Sequence, residues 1–272
     1  MSALLLIPWF DAPATAVELG SYRFVLNPST FTLNIAVVTT LAASFLFAYQ
    51  HGRSLKQTFV FGVFILAFAF PISRLFNGLF YQPGVFDAVL ESPLSIFRIR
   101  LGLSMVGGVI GGFVGAGVWK LIAGGSILET GDAFAFGGPF GWCIGRIGCF
   151  VTHCHPGRVS DFPLAVADYQ VGEPPWLPRH DLGLYGAIVL IMIAILFLWL
   201  AETPRKPGFY FALLGLVFPP ARFLLDFLRA PASEGGDLRY AGLTPAQYVM
   251  VAFFVAGLWA MRRVRASERA PS

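Results

Sequence analysis

Apolar residues recur along this chain in long, nearly uninterrupted runs, separated by short polar segments, and that pattern predicts helices rather than strands. A bilayer-spanning helix needs about 20 mostly apolar residues. Runs of that kind fall near 31–49, 58–81, 101–123, 132–152, 183–201, 208–228 and 244–261. The fourth is the most polar, with Asp132 at its start and Arg146 inside it. The expected fold is therefore an all-α integral membrane protein of about seven transmembrane helices, a single polytopic domain over 1–272.

Composition agrees with lipid as the main solvent. The chain is 56% hydrophobic and 12% charged with a mean hydropathy of +0.70, against roughly 25% charged for soluble domains. Its 19 prolines and 30 glycines are scattered through the apolar runs, as membrane helices tolerate when neighbours re-satisfy the freed backbone groups. The start, Met1 to Phe10, has neither a basic leader nor a small-residue cleavage site, so it does not resemble a signal peptide. Pro8, Trp9 and Phe10 are expected at the bilayer interface.

The net charge of +4 does not point to a nucleic acid, because the basic residues are spread in ones and twos instead of forming a stripe. They sort better as topology signals. With the N-terminus outside, the inner segments carry Arg53 and Lys56, then Lys120, then Arg205 and Lys206, then Arg262, Arg263, Arg265 and Arg269, which is the positive-inside pattern. The outer segments hold a comparable number, including Arg23, Arg98, Arg100, Arg158, Arg179, Arg229 and Arg239, so the bias rests on the short loops and the tail. The C-terminus is then cytoplasmic, and the hydrophilic stretch between spans four and five, 152–181, faces outward.

Charges inside the spans need a partner or a task, since a central arginine costs about 2.5–3.5 kcal/mol on insertion scales. Arg74 lies near a helix end and is expected to snorkel. Arg146 sits between glycines in Gly145-Arg146-Ile147-Gly148, and Arg222 is followed by Asp226 at i+4 and Arg229 at i+7 on one helical face. A guanidinium matches two phosphate oxygens at once, and the phosphate at hand in a membrane is a phospholipid headgroup. An internal Arg222–Asp226 ion pair explains the same spacing. Gly107, Gly108, Gly111, Gly112, Gly115 and Gly117 give the third span small-residue spacing suited to tight helix packing.

His153, Cys154 and His155 follow Cys149 closely. Adjacent residues rarely converge on one ion and no paired C-x-x-C is present, so no metal and no cofactor are expected. Histidine acid/base work is the sharper expectation for His153 and His155. Cys143, Cys149 and Cys154 are an odd number and define no disulfide framework.

The run Gly145-Arg146-Ile147-Gly148-Cys149-Phe150, with Gly157-Arg158 and then Asp161, resembles the signature of prolipoprotein diacylglyceryl transferases. Leu103-Ser104 before Gly107-Gly108, His180 with Tyr185, Ala221-Arg222-Phe223 with Asp226 and Arg229, and Leu243-Thr244 with Gln247 resemble further family segments in the same order. The resemblance covers about 98–260. It implies a seven-helix enzyme of the bacterial inner membrane, acting on the outer side, that moves the diacylglyceryl group of phosphatidylglycerol onto the lipobox cysteine of a lipoprotein precursor and releases glycerol phosphate.

On that resemblance Arg146 and Arg222 clamp the lipid phosphate. Gly107, Gly108 and Gly157 shape the cavity, and Arg158, Tyr185, Asp226 and Arg229 line the substrate. The chain departs from the family where Met105 and Val106 replace an aromatic residue and a histidine, and where Cys149, Thr152 and Cys154 replace polar residues of the signature. His153 or His155 then stands as a relocated base. A changed acceptor, or a protein of the same fold that binds or transports an anionic lipid without cleaving it, is the alternative.

Overall fold

The computed structural model of the chain describes residues 6–19, 22–82, 85, 90–92 and 102–269. Seven long helices carry most of it: α1 (Pro28–Gln50), α2 (Leu55–Tyr81), α3 (Met105–Ala123), α4 (Ile127–Val151), α5 (Leu182–Leu200), α6 (Phe209–Leu225) and α7 (Pro245–Arg269). The first six, with α6 counted through Leu228, are long and apolar enough to cross a membrane. The seventh matches them in length and ends among Arg262, Arg263 and Arg265. Arg98 and Arg100, expected on the outer side, lie outside the described residues.

Local chemistry sets the helix ends. Asn27, Ser54, Ser104, Ser126 and Asp181 each accept a first-turn backbone N–H of α1 to α5, satisfying donors that would otherwise be orphaned. Helix α6 starts at Gly208 with no cap of its own. Asp132 of α4 supplies one from across the bundle, accepting Gly208 N at 2.8 Å and Phe211 N at 2.9 Å while Arg53 bonds it at 3.3 Å. The charge beginning the fourth span is thus a fixed strut between α4, α6 and the α1–α2 turn.

Glycine brings the helices into close contact, as expected for packing in lipid. On α3, a Cβ at Gly107, Gly111 or Gly115 would fall 2.5–2.7 Å from backbone carbonyls of α2 at Ile72, Phe68 and Phe64. Gly137 and Gly141 meet backbone carbonyls of α1 in the same way, Gly148 meets the Thr32 side chain, and Gly215 meets Gly257 where α6 crosses α7. The core between α1, α4, α5, α6 and α7 is aromatic, with Phe47, Phe136, Phe197, Tyr210 and Phe253 buried together. Outward faces carry Val38, Ile195 and Trp199, each more than half exposed, the inverse of a water-soluble surface.

Strands occupy the polar segments. β1 (Thr15–Leu19) and β2 (Tyr22–Leu26) form a hairpin before α1, and β3 (Pro156–Val159), β4 (Val166–Tyr169) and β5 (Leu177–Asp181) make a three-stranded antiparallel sheet in the order β3-β5-β4. The hydrophilic stretch 152–181 is therefore a small folded cap over one end of the bundle. Ile7 bonds to Ala165 and Ala167 beside β4. Trp9 and Phe10 pack on His153 at ring separations of 4.3 and 4.6 Å.

Candidate functional site

Helix α4 ends where the signature loop begins. Thr152 caps it, its hydroxyl bonding Gly148 O at 2.9 Å, and His153 then takes a left-handed backbone conformation (φ 46°) that reverses the chain. Cys154 N returns to Cys149 O at 3.2 Å. The reversal gathers Cys149, Cys154 and His155, whose ligand-type atoms all lie within 4.8 Å of one another, with Cys154 Sγ 3.0 Å from His155 Nδ1. Hydrogen bonding with the Cys149 thiol, and then with His155, holds the Cys154 thiol well below the ordinary cysteine range. Burial pushes the His155 imidazole below its usual value.

One turn before Cys149, Arg146 leaves α4 across Gly186 of α5, where a Cβ would sit 3.1 Å from Arg146 Cδ. Its guanidinium reaches Met105 Sδ at 3.0 Å, at the start of α3. Among the described residues no carboxylate pairs with it. Arg222 and Arg229 stand within electrostatic reach of Arg146, as do both cysteines.

Those two arginines are differently placed. Arg222 is ion-paired with the fully buried Asp226, and Arg229 bonds Asp237 at 2.9 Å with Asp226 3.9 Å away. Thr244 donates to Asp226 at 2.6 Å, and Arg239 donates to the Asp226 backbone carbonyl at 2.9 Å. Gln247 ties α7 to Phe223 O at 3.1 Å. Two arginines thus meet two aspartates, while among the described residues the buried Nε of Arg222 and of Arg229 each lack a partner. Among the described residues, Arg146 is the site's cation that has no acid.

Other residues singled out by sequence have structural places. His153, expected as a base, is buried with both ring nitrogens engaged, Nδ1 with Asp181 at 3.0 Å and Nε2 with Phe10 O at 3.1 Å. Tyr169 bonds its carbonyl at 2.6 Å. Held from both ring nitrogens and through its carbonyl, this histidine anchors the cap. Gly107, expected to shape a cavity, instead closes the α2–α3 contact, whereas a Cβ on Gly108 would meet open space. Gly157 is enclosed by His180 and Leu228 and pairs with Arg229 across an isolated bridge. Arg158 is exposed on β3. Tyr185 bonds His180 Nδ1 at 2.8 Å and Leu164 O at 3.3 Å, beside the cap. Arg74 lies over the Phe70 ring at 5.8 Å.

Sequence reasoning passes over Asp237 and Tyr81. Tyr81, at the end of α2, is within electrostatic reach of Arg222, Arg229, Asp226 and Asp237. Its signal is an aromatic residue at a span end. Asp237 has none, since nothing in a glycine-rich loop marks one acid as the partner of an arginine eight positions earlier.

Residues 27–263 match the family model of prolipoprotein diacylglyceryl transferase. The chain is 32% identical over 194 residues to the phosphatidylglycerol–prolipoprotein diacylglyceryl transferase of Janthinobacterium sp. (strain Marseille), covering 68% of this chain and 69% of that protein. It is 32% identical over 202 residues to the protein of the same name from Idiomarina loihiensis (73% and 72%). With that of Zymomonas mobilis it shares 34% identity over 195 residues (68% and 64%).

Proposed function

The chain belongs to the prolipoprotein diacylglyceryl transferase family, and from that membership we propose that it moves the diacylglyceryl group of phosphatidylglycerol onto a cysteine thiol of a lipoprotein precursor. The reaction joins sulfur to the glyceryl carbon and breaks that carbon's bond to the phosphate oxygen, so negative charge grows on the departing glycerol phosphate. A protein speeds it by holding the thiolate and the carbon in line and by fixing donors where that charge develops.

The observation that carries the assignment is the pairing state of the arginines. Among the described residues Arg146 spends its guanidinium on a thioether alone, which leaves its planar fork to take two phosphate oxygens. Arg222 and Arg229 keep Asp226 and Asp237, so they contribute fixed donors rather than net charge. Open space beside Gly108 accommodates the lipid next to α3. Arg158, Tyr185 and the cap strands flank the approach of the acceptor peptide.

The protein is oriented with its N-terminus outside, seven spans including α7, and the site facing the outer leaflet of the bacterial inner membrane. Arg53, Lys120, Arg205, Lys206 and the Arg262–Arg265 cluster then all lie inside, in accord with the positive-inside rule.

Incubating the purified protein with labelled phosphatidylglycerol and a lipobox peptide should release glycerol phosphate and give a thioether-linked lipopeptide. Product that persists in Arg146→Ala would remove the clamp assignment. Lipid binding without any product would leave a lipid-binding protein of this fold.

A further inference from the structure

We propose that Cys149, Cys154 and His155 form a zinc-class metal site whose fourth coordination position receives the thiolate of the acceptor cysteine. The proposal rests on the transferase reading for the identity of that fourth ligand.

Adjacency in sequence argues against Cys154 and His155 sharing an ion, but the left-handed turn at His153 removes the objection. It sets Cys154 Sγ 3.0 Å from His155 Nδ1 and folds both back on Cys149. Ligand atoms around tetrahedral zinc, with bonds of about 2.0–2.3 Å, stand roughly 3.3–3.8 Å apart. Three atoms within 4.8 Å of one another reach that spacing by small side-chain rotations. Leu182 N bonds the His155 carbonyl at 3.2 Å, tying this ligand to the start of α5.

Two thiolates and an imidazole are a donor set for zinc, and three protein ligands with one open position is the arrangement of a catalytic rather than a structural site. Cys154 is exposed, which leaves the open side accessible. Charge also balances: two thiolates neutralise a divalent ion, and Arg146, which pairs with no carboxylate among the described residues, remains a cation for phosphate.

The site answers a chemical need of this chain. An acceptor thiol of pKa about 8.5 must ionise to attack, position 106 is Val106, and both nitrogens of His153 are occupied. Metal coordination removes the thiol proton outright. The proton passes to water and the sulfur lone pair forms the S–C bond to the glyceryl methylene. The C–O bond breaks with its electrons going to the phosphate oxygen beside Arg146. The product thioether, a neutral and weaker ligand, dissociates. Cys149, Cys154 and His155 are unchanged through the cycle.

The test is cobalt(II) loading of the reduced, full-length protein in detergent. About one equivalent should bind, with thiolate-to-cobalt charge-transfer absorption and tetrahedral visible bands. Cys149→Ser and Cys154→Ser should lose these bands, His155→Gln should weaken them, and Cys143→Ser should keep them. A lipobox peptide should intensify the charge-transfer band, and its Cys→Ser analogue should not. Failure of the reduced protein to bind cobalt or zinc overturns the site. A spectrum indifferent to the peptide removes the acceptor role. None of these readouts needs turnover. Undiminished transfer by metal-free protein sinks this inference and leaves the transferase, whereas peptide-dependent spectra without transfer do the reverse.

Discussion

Arg222 and Asp226 face each other one helical turn apart at the C-terminal end of α6, an ion pair whose carboxylate is wholly buried and shared with the Thr244 hydroxyl. Burying two charges is costly, and removing one partner leaves the other uncompensated at about 3–5 kcal/mol. Asp226→Ala should therefore lower the midpoint of thermal unfolding in detergent far more than Thr244→Val, which removes one hydrogen bond worth roughly 1 kcal/mol. Equal shifts in the two variants would mean that the pair is solvated.

Arg146 should behave in the opposite way. With Met105 Sδ as its one partner among the described residues, its replacement removes little that holds the fold. As the donor to a developing phosphate charge it is worth about 10²–10³ in turnover. Arg146→Ala should unfold at nearly the parent temperature with kcat reduced by that factor. Arg146→Lys should recover part of the loss, since it keeps the charge without the fork.

The glycines of α3 separate into two classes that sequence spacing cannot tell apart. A Cβ at Gly111 would sit 2.5 Å from Phe68 O, a backbone atom that cannot yield without moving α2, whereas one at Gly117 meets nothing. Gly111→Ala should destabilise the protein measurably, by about 1–3 kcal/mol as for other overpacked contacts. Gly117→Ala should be neutral or slightly stabilising, because alanine is the better helix former. Thermal unfolding of the two variants side by side decides it.

Helices were legible in this chain because lipid imposes a length and a composition on every span. The signature around Arg146 was legible because glycines bracket a charge that lipid would otherwise reject. The cap was not. Its strands are four or five residues long and hold prolines at Pro156 and Pro178, so no alternation is long enough to register. Convergence of Cys149, Cys154 and His155 depends on the φ of one non-glycine residue, His153, which tertiary packing of Trp9, Tyr169 and Asp181 imposes and local sequence does not encode. The roles of Arg146 and Arg222 diverge for a similar reason: both sit in helices, but only the fold shows which one has its acid.

His180 gives a pH prediction. Burial lowers its imidazole below the ordinary 6.5, so the unfolded chain binds more protons than the folded one as the pH falls through that value. Stability from this residue is present above about 6.5 and is lost on acidification from there. His180→Asn should flatten the decline of the unfolding midpoint between pH 7 and 5.5. An unchanged slope would place the acid sensitivity elsewhere.

Topology is tested by reporters at two positions that differ by the helices between them. From Glu173 in the cap to the C-terminus the chain passes α5, α6 and α7. Three crossings put the two points on opposite sides, and two put them on the same side. Alkaline phosphatase, active only outside the cytoplasm, should work when fused after Glu173 and fail when fused after Arg269. A fluorescent protein that matures only inside should do the reverse. Phosphatase activity at both points would mean that α7 lies along the membrane despite its length. The arginines at its end would then rest on the outer surface, against the charge rule that orients the remaining helices.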